Sequence, residues 1–312
     1  MTDGSRPGHA SAVSPAQPFT AQPVGGPEPI APRRVTRLGA RFWRRNTTLV
    51  LGAALLALVV VLAVAAPWIA PDPMRLAPIE RLQPPGPAHW LGSDHLGRDV
   101  YARALFGARI SLVVGVCVAA LSVATGLLIG LAAGYWNAVD VVVMRIMDGL
   151  MAIPAILLAI ALVSLNKASV WVVIVAISIP EIPRVVRLVR SVVLTVRERP
   201  YIEAAISGGA RASKIIWRHI LPSTVPPLIV QSTYVIASAI LIEAGLSFLG
   251  TGVPPDIPTW GNMIASSRLF IARAPWTVFV PGGALAVVIL AVNLLGDALR
   301  DRLDVRLMRR IA

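Results

Sequence analysis

Four acidic side chains stand beside or within long apolar runs: Asp148, Glu181, Glu243 and Asp297. Charge is costly in hydrocarbon, so each is a candidate for a polar pathway or for holding a neighbouring helix. Glu181 and Glu243 lie near run ends, within reach of headgroups or water. Asn293, one turn before Asp297, carries an amide that can bond across helices. Glu181, Glu243 and Asn293 are therefore the candidate pathway residues. Covalent chemistry lacks its residues. There is no phosphate loop of the form G-x-x-x-x-G-K-S/T, no H-E-x-x-H for zinc and no G-x-S-x-G nucleophile elbow. His89, Asp94 and His95 could be imagined as metal ligands. Two histidines six apart on a loop define no coordination geometry, however, and an exposed polar loop explains them far better. The expectation is a chain that is not an enzyme and binds no metal.

The elements that must position these residues are membrane helices. Of 312 residues 56% are hydrophobic and only 14% charged, against about 25% charged in an average soluble domain. That excludes a soluble two-domain enzyme and a disordered chain. About 20 apolar residues cross a bilayer. Charge-free runs cover 49–71, 110–139, 149–166, 220–242 and 274–296, and a shorter one covers 168–180. The last is long enough only if it continues past Glu181, with Pro180 and Pro183 kinking it near one end. Six spans follow, in an all-α membrane protein. The single cysteine, Cys117, lies inside an apolar run and packs as a small hydrophobe.

The formal net charge is +13. Its basic residues collect at the ends of apolar runs, as membrane orientation requires, so no nucleic-acid partner is inferred. Arginines precede the first run (Arg33 to Arg45), follow the last (Arg300 to Arg310) and fill the segment between the fourth and fifth (Arg184 to Arg218). Six spans put all three segments on one side, so both termini are cytoplasmic. Trp43, Trp68, Trp136, Trp171 and Trp276 lie near span edges, where amphipathic rings settle. Four regions follow: a disordered cytoplasmic tail at 1–40, a first helix with its extracytoplasmic loop at 41–109, a core at 110–300 and a basic cytoplasmic tail at 301–312.

The segment 197–223 reads RERPYIEAAISGGARASKIIWRHILPS. Pro200 suits a first helical position, and Glu203 then meets the positive end of the helix dipole. Gly208-Gly209 can end that helix in a left-handed conformation. A second short helix follows from about Ala212, with Arg218 and His219 at its end, and Pro222 breaks it before the next span. Ala204, Ala205 and Ile206 need a covering surface. A groove on a partner protein would serve, and so would the lipid surface.

Glu203-Ala204-Ala205, Gly209 and the ending His219-Ile220-Leu221-Pro222 resemble the EAA loop of ABC-importer permeases. Stretches at 89–112, 243–261, 274–276 and 293–307 are similar to motifs of the peptide/nickel permease group. The long first loop resembles that of its C-type subunit. Ser223, Val305 and the stretch 180–183 depart from the family pattern.

The resemblance implies a type I ABC importer permease fold of six helices in a bacterial inner or plasma membrane. It implies a coupling helix at Glu203, Ala204, Ala205, Gly209, His219, Leu221 and Pro222. It also implies a second homologous permease, two ATP-binding subunits carrying ATP and Mg²⁺, and an extracytoplasmic substrate-binding protein. This chain would hold no cofactor of its own and would supply half of a pathway for di- or oligopeptides. A nickel or other small-solute importer is the alternative cargo, and a stand-alone channel or ion-coupled carrier the alternative class.

Overall fold

The structure is a computed structural model that describes residues 47–311, with side chains through residue 303. The expected tail at 1–40 and the arginines from Arg33 to Arg45 lie outside the described residues. Helix α1 is Thr47–Ile69 and α2 is Val100–Tyr135, started by Asp99, whose carboxylate accepts from the Ala102 N–H. Helices α3 (Asn137–Ala152) and α4 (Ala155–Ser164) meet at a bend of 88°, where Pro154 brings no N–H to continue the ladder. Helix α5 is Val170–Arg197, capped by Ser169. Two short helices follow, α6 (Pro200–Ser207) and α7 (Ala212–Ile215), then a π-helical turn at Ile216–Ile220. Helix α8 is Leu221–Phe248, α9 is Trp260–Ser267 and α10 is Trp276–Ile311. Among the described residues no strand forms beyond one isolated bridge between Ser93 and Asp99.

Four helical stretches are long and apolar enough to cross a membrane: Thr47–Ile69, Val100–Tyr135, Ala212–Phe248 and Trp276–Leu303. The bent pair α3–α4 makes a fifth if it is one span. Helix α5 has the length but carries Glu181, Arg184, Arg187, Arg190 and Arg197.

Several expected boundaries change. The helix expected at 110–139 begins at Val100, so the boundary between 109 and 110 falls inside it. It ends at Tyr135, and the next element is already helical at Asn137, well before 149. Pro180 and Pro183 lie inside one continuous helix. Pro222 does not break its helix. It follows closely on the π turn that joins α7 to α8, where the hydrogen-bond ladder changes register.

Small residues set the packing. Gly126, Gly130 and Gly134 of α2 face Val185, Val189 and Val193 of α5 in order, so the two helices run parallel. A methyl group at these glycines would lie 2.6, 2.7 and 2.6 Å from the valine Cβ atoms, so only glycine permits the approach. Helix α8 runs antiparallel to α2, with Gly115 against Ile240 and Ser111 against Glu243. Helix α1 lies outermost, its Gly52 against Ala291 and Leu294 of α10.

Candidate functional site

The molecule has two polar ends. At the N-terminal end of α2 the loops 70–99 and 249–275 form a cap. At the C-terminal ends of α2 and α5 the segment 198–220 projects.

Asp94 organises the cap. Its Oδ1 accepts from the backbone N–H groups of Leu96 and Arg98, at 2.8 and 2.9 Å. Its Oδ2 accepts from Arg98 Nε and Arg103 Nη1, both at 2.7 Å. All three side chains are buried. Burial pushes the Asp94 carboxyl up, but the Arg98 charge and N–H and the Arg103 charge outweigh it, and the group titrates below its ordinary value. The expectation of an exposed polar loop is therefore corrected here, because paired guanidinium groups make a buried carboxylate tolerable.

His89 bridges two acids, with Nδ1 2.8 Å from Asp99 Oδ2 and Nε2 3.0 Å from Glu80 Oε2. The Asp99 bond raises its pKa, burial opposes this, Glu80 adds to the rise, and the net shift is upward. The His95 ring stacks on Phe270 with centroids 5.4 Å apart, and burial lowers its pKa. Among the described residues no group of three His, Cys, Asp or Glu side chains is placed to hold a metal ion.

The second loop is pinned to the first and to α2. Trp260 is buried and donates from Nε1 to the Ala104 carbonyl at 3.0 Å. Asn262 Nδ2 donates to the carbonyls of Val253, Pro254 and Ile257. Trp276 Nε1 donates to the Ser93 carbonyl at 3.2 Å. That contact needs Gly92, whose φ is +77° and where a Cβ would lie 2.4 Å from the indole nitrogen.

The projecting segment is built differently. Ile202, Ile215 and Ile220 are fully buried and anchor it. Pro200 opens α6, and the chain reverses at Gly209, whose φ is +74°. Backbone bonds from Gly208 to Ala204, Gly209 to Ile206 and Ala210 to Ala205 close the turn. Glu203, Ala204 and Gly209 are exposed and Ala205 is half-buried. At the base His219 and Leu221 are half-buried, Pro222 is exposed, and the Tyr201 and His219 rings lie 6.2 Å apart. The structure brings Glu203, Ala204, Ala205 and Gly209 together on one short hairpin of helices, with His219, Leu221 and Pro222 at its root.

Of the acidic and amide candidates, Glu181 and Glu243 are packed within the subunit. Glu181 is buried on α5 and accepts from Arg184 Nη1 at 2.8 Å and from the Ser238 hydroxyl at 3.0 Å. Glu243 is buried on α8 and accepts from the hydroxyls of Ser247 at 2.8 Å and Ser111 at 3.4 Å. Asn293 on α10 is half-buried and Asp297 is exposed. Asp148 pairs with Arg187 at 2.7 Å.

Sequence reading missed Asp140, which takes Arg190 in a two-bond contact of 2.5 and 2.7 Å, and the buried pairing of Arg103 with Asp94. It also missed the glycine series at 126, 130 and 134. There the four-residue spacing of small residues in an apolar run was the available signal.

Comparison with known proteins adds two family matches and three relatives. Residues 126–309 match the model of the family described as binding-protein-dependent transport system inner membrane component. Residues 37–85 match the N-terminal transmembrane domain of oligopeptide transport permease C. A probable peptide ABC transporter permease of Sinorhizobium fredii is 58% identical over 280 residues, covering 90% of this chain and 96% of that protein. A di/tripeptide transport system permease of Pseudomonas aeruginosa is 41% identical, covering 85% and 91%. A dipeptide transport system permease of Alkalihalophilus pseudofirmus is 39% identical, covering 91% and 97%.

Proposed function

The chain belongs to the binding-protein-dependent transport system inner membrane component family, and from that premise we propose that it is a permease subunit of an ATP-driven importer of di- or oligopeptides. The peptide cargo rests on the names of the relatives, and nickel or another small solute is the alternative. The chain itself is a membrane subunit and not the ATPase. The proposed assembly adds a second homologous permease, two ATP-binding subunits holding ATP and Mg²⁺, and an extracytoplasmic substrate-binding protein.

The proposed topology has six crossings: α1, α2, the bent pair α3–α4, α5, α8 and α10. The alternating direction of successive crossings supports it, since α2 and α5 run parallel while α8 runs against α2. Helix α5 becomes a crossing because its charges are answered within the subunit, Glu181 by Ser238 and Arg184, Arg187 by Asp148 and Arg190 by Asp140. Both termini and the projecting segment then face the cytoplasm of a bacterial inner membrane. The cap faces outward, where it would receive the binding protein. The four regions proposed from sequence keep their order, with the core beginning at Val100.

The observation that carries the mechanism is continuity. The projecting segment runs through the π turn into α8, giving one helical stretch, Ala212–Phe248, 37 residues long. At 1.5 Å per residue this is a lever of about 55 Å. Its far end holds Glu243, bonded to α2, and leads into the cap. A cleft on an ATP-binding subunit that grips Glu203, Ala204, Ala205 and Gly209 would therefore move α8 as a rod, with His219, Leu221 and Pro222 at the fulcrum. Converting a 1:99 mixture of two conformations to 99:1 takes about 5.5 kcal/mol of differential binding, which a stiff link can transmit. Glu181 and Glu243 are buried here. Their proposed pathway role, with that of Asn293, therefore begins only when α8 separates from α5 and α2.

The test is transport and ATP hydrolysis by the four-subunit complex in proteoliposomes with its binding protein. Gly209→Trp is expected to leave assembly intact while separating ATP hydrolysis from peptide uptake. Unchanged uptake per ATP in that variant would refute the coupling role of the segment.

A further inference from the structure

The contact between α1 and the rest of the bundle leaves an apolar groove of about 500 Å³ among α1, α2, α8 and α10. Leu56 and Val64 of α1, Val113 and Cys117 of α2 and Leu295 of α10 line it. One charged side chain borders it, Arg109. Arg109 lies nine residues into α2, and the charge-free part of that helix begins at Ile110. Nine residues correspond to about 13 Å along the axis, and α2 is longer than a bilayer is thick. Arg109 therefore stands where hydrocarbon gives way to headgroups, at the end of the groove nearest the cap.

Its surroundings differ from those of five other arginines. Arg98 and Arg103 share Asp94, and Arg184, Arg187 and Arg190 each have a carboxylate. Arg109 is exposed, with the Phe106 ring 5.9 Å from its guanidinium carbon and no carboxylate partner among the described residues. An unanswered cation at the hydrocarbon edge, above a groove walled by carbon, matches a molecule with an anionic head and a long apolar tail.

We propose that a membrane phospholipid occupies this groove, one acyl chain lying between α1 and α2 and its phosphate oxygens accepting hydrogen bonds from Arg109. In the orientation proposed above, on which this detail alone rests, the lipid comes from the outer leaflet. It fills the seam by which α1 joins the bundle and links that helix to the segments that carry the cap.

The test uses the complete transporter in native membranes. A photoreactive benzoylphenylalanine at Val113 reports on the groove, and the same label at Val61, an exposed position on α1, reports on bulk lipid. After irradiation the intact subunit is weighed by mass spectrometry. The expected result is a phospholipid adduct at Val113 whose yield falls at least fivefold with Arg109→Gln and is largely kept with Arg109→Lys, while the Val61 adduct is unchanged. An adduct to the second permease at Val113, no phospholipid adduct there, or a yield indifferent to Arg109→Gln would overturn the proposal. If Arg109→Gln does not assemble, phospholipid retained by the unaltered complex during stepwise delipidation decides, and loss of all lipid in one step overturns it. None of these measurements involves transport, so their failure leaves the importer reading standing.

Discussion

The cap and the projecting segment lie at opposite ends of the same helices and are held together in opposite ways. In the cap, polar groups are turned inward. Asp94, Arg98 and Arg103 are buried on one another, Trp260 and Asn262 spend their donors on backbone carbonyls, and Trp276 ties one loop to the other. In the projecting segment four isoleucines are buried and most polar side chains, Glu203, Arg211, Lys214 and Arg218 among them, face outward. The first region is held chiefly by ion pairs and hydrogen bonds among its own side chains and backbone. A region anchored by a few apolar residues, with its charges outside, keeps a surface for another protein. The two ends thus differ in where their charges lie, paired inside one and exposed on the other.

Four measurements break or sharpen that contrast, and the largest effect is expected in the cap. Asp94→Ala leaves two guanidinium groups buried without an anion, a change that costs about 3–5 kcal/mol in comparable sites. Thermal unfolding of the purified complex should show it as a strongly lowered midpoint, and a midpoint within a degree of the unaltered protein would mean that the cap is not held as described.

A matched pair of glycines comes next. Gly97 and Gly209 share a left-handed backbone, with φ of +76° and +74°. A Cβ at Gly97 would lie 1.8 Å from the Ala77 carbonyl oxygen, whereas nothing lies within 4 Å at Gly209. Gly209→Ala should cost only the backbone term of about 1–2 kcal/mol, and Gly97→Ala distinctly more. Equal losses by denaturation in detergent would erase the difference between the two regions.

The third effect is smaller and depends on pH. Because the folded-state pKa of His89 is raised, its bridge to Asp99 and Glu80 contributes fully below the unfolded value of 6.5. The contribution is lost as pH rises through the higher folded value. The gap in unfolding midpoint between the unaltered protein and His89→Gln should therefore narrow from pH 6 to pH 9, and a gap that widens contradicts the arrangement.

The smallest expected change in stability, within about 0.5 kcal/mol, is for Glu203→Lys, since the side chain is exposed and forms no ion pair among the described residues. Its effect should appear instead as ATP hydrolysis no longer matched by uptake. A large loss of stability would show that Glu203 serves the fold rather than a partner.

The chain by itself determined which stretches are helices of the membrane, because apolar runs of sufficient length have no other stable form in lipid. It determined the shape of the projecting segment too, since Pro200 and Gly209 act through local backbone preferences that need no distant residue. What it did not determine was where each charge finds its partner. Asp140 and Arg190 are fifty residues apart, and Glu243 and Ser111 are 132 apart. The expected break at Pro222 follows from a rule about helix interiors, and the structure overrode it. Carboxylates on α3 and a hydroxyl on α8 answer the charges of α5, and the π turn just before Pro222 shifts the helical ladder so that the helix continues through it. The cost of a charge or a proline depends on what surrounds it, and those surroundings exist only once the helices have packed.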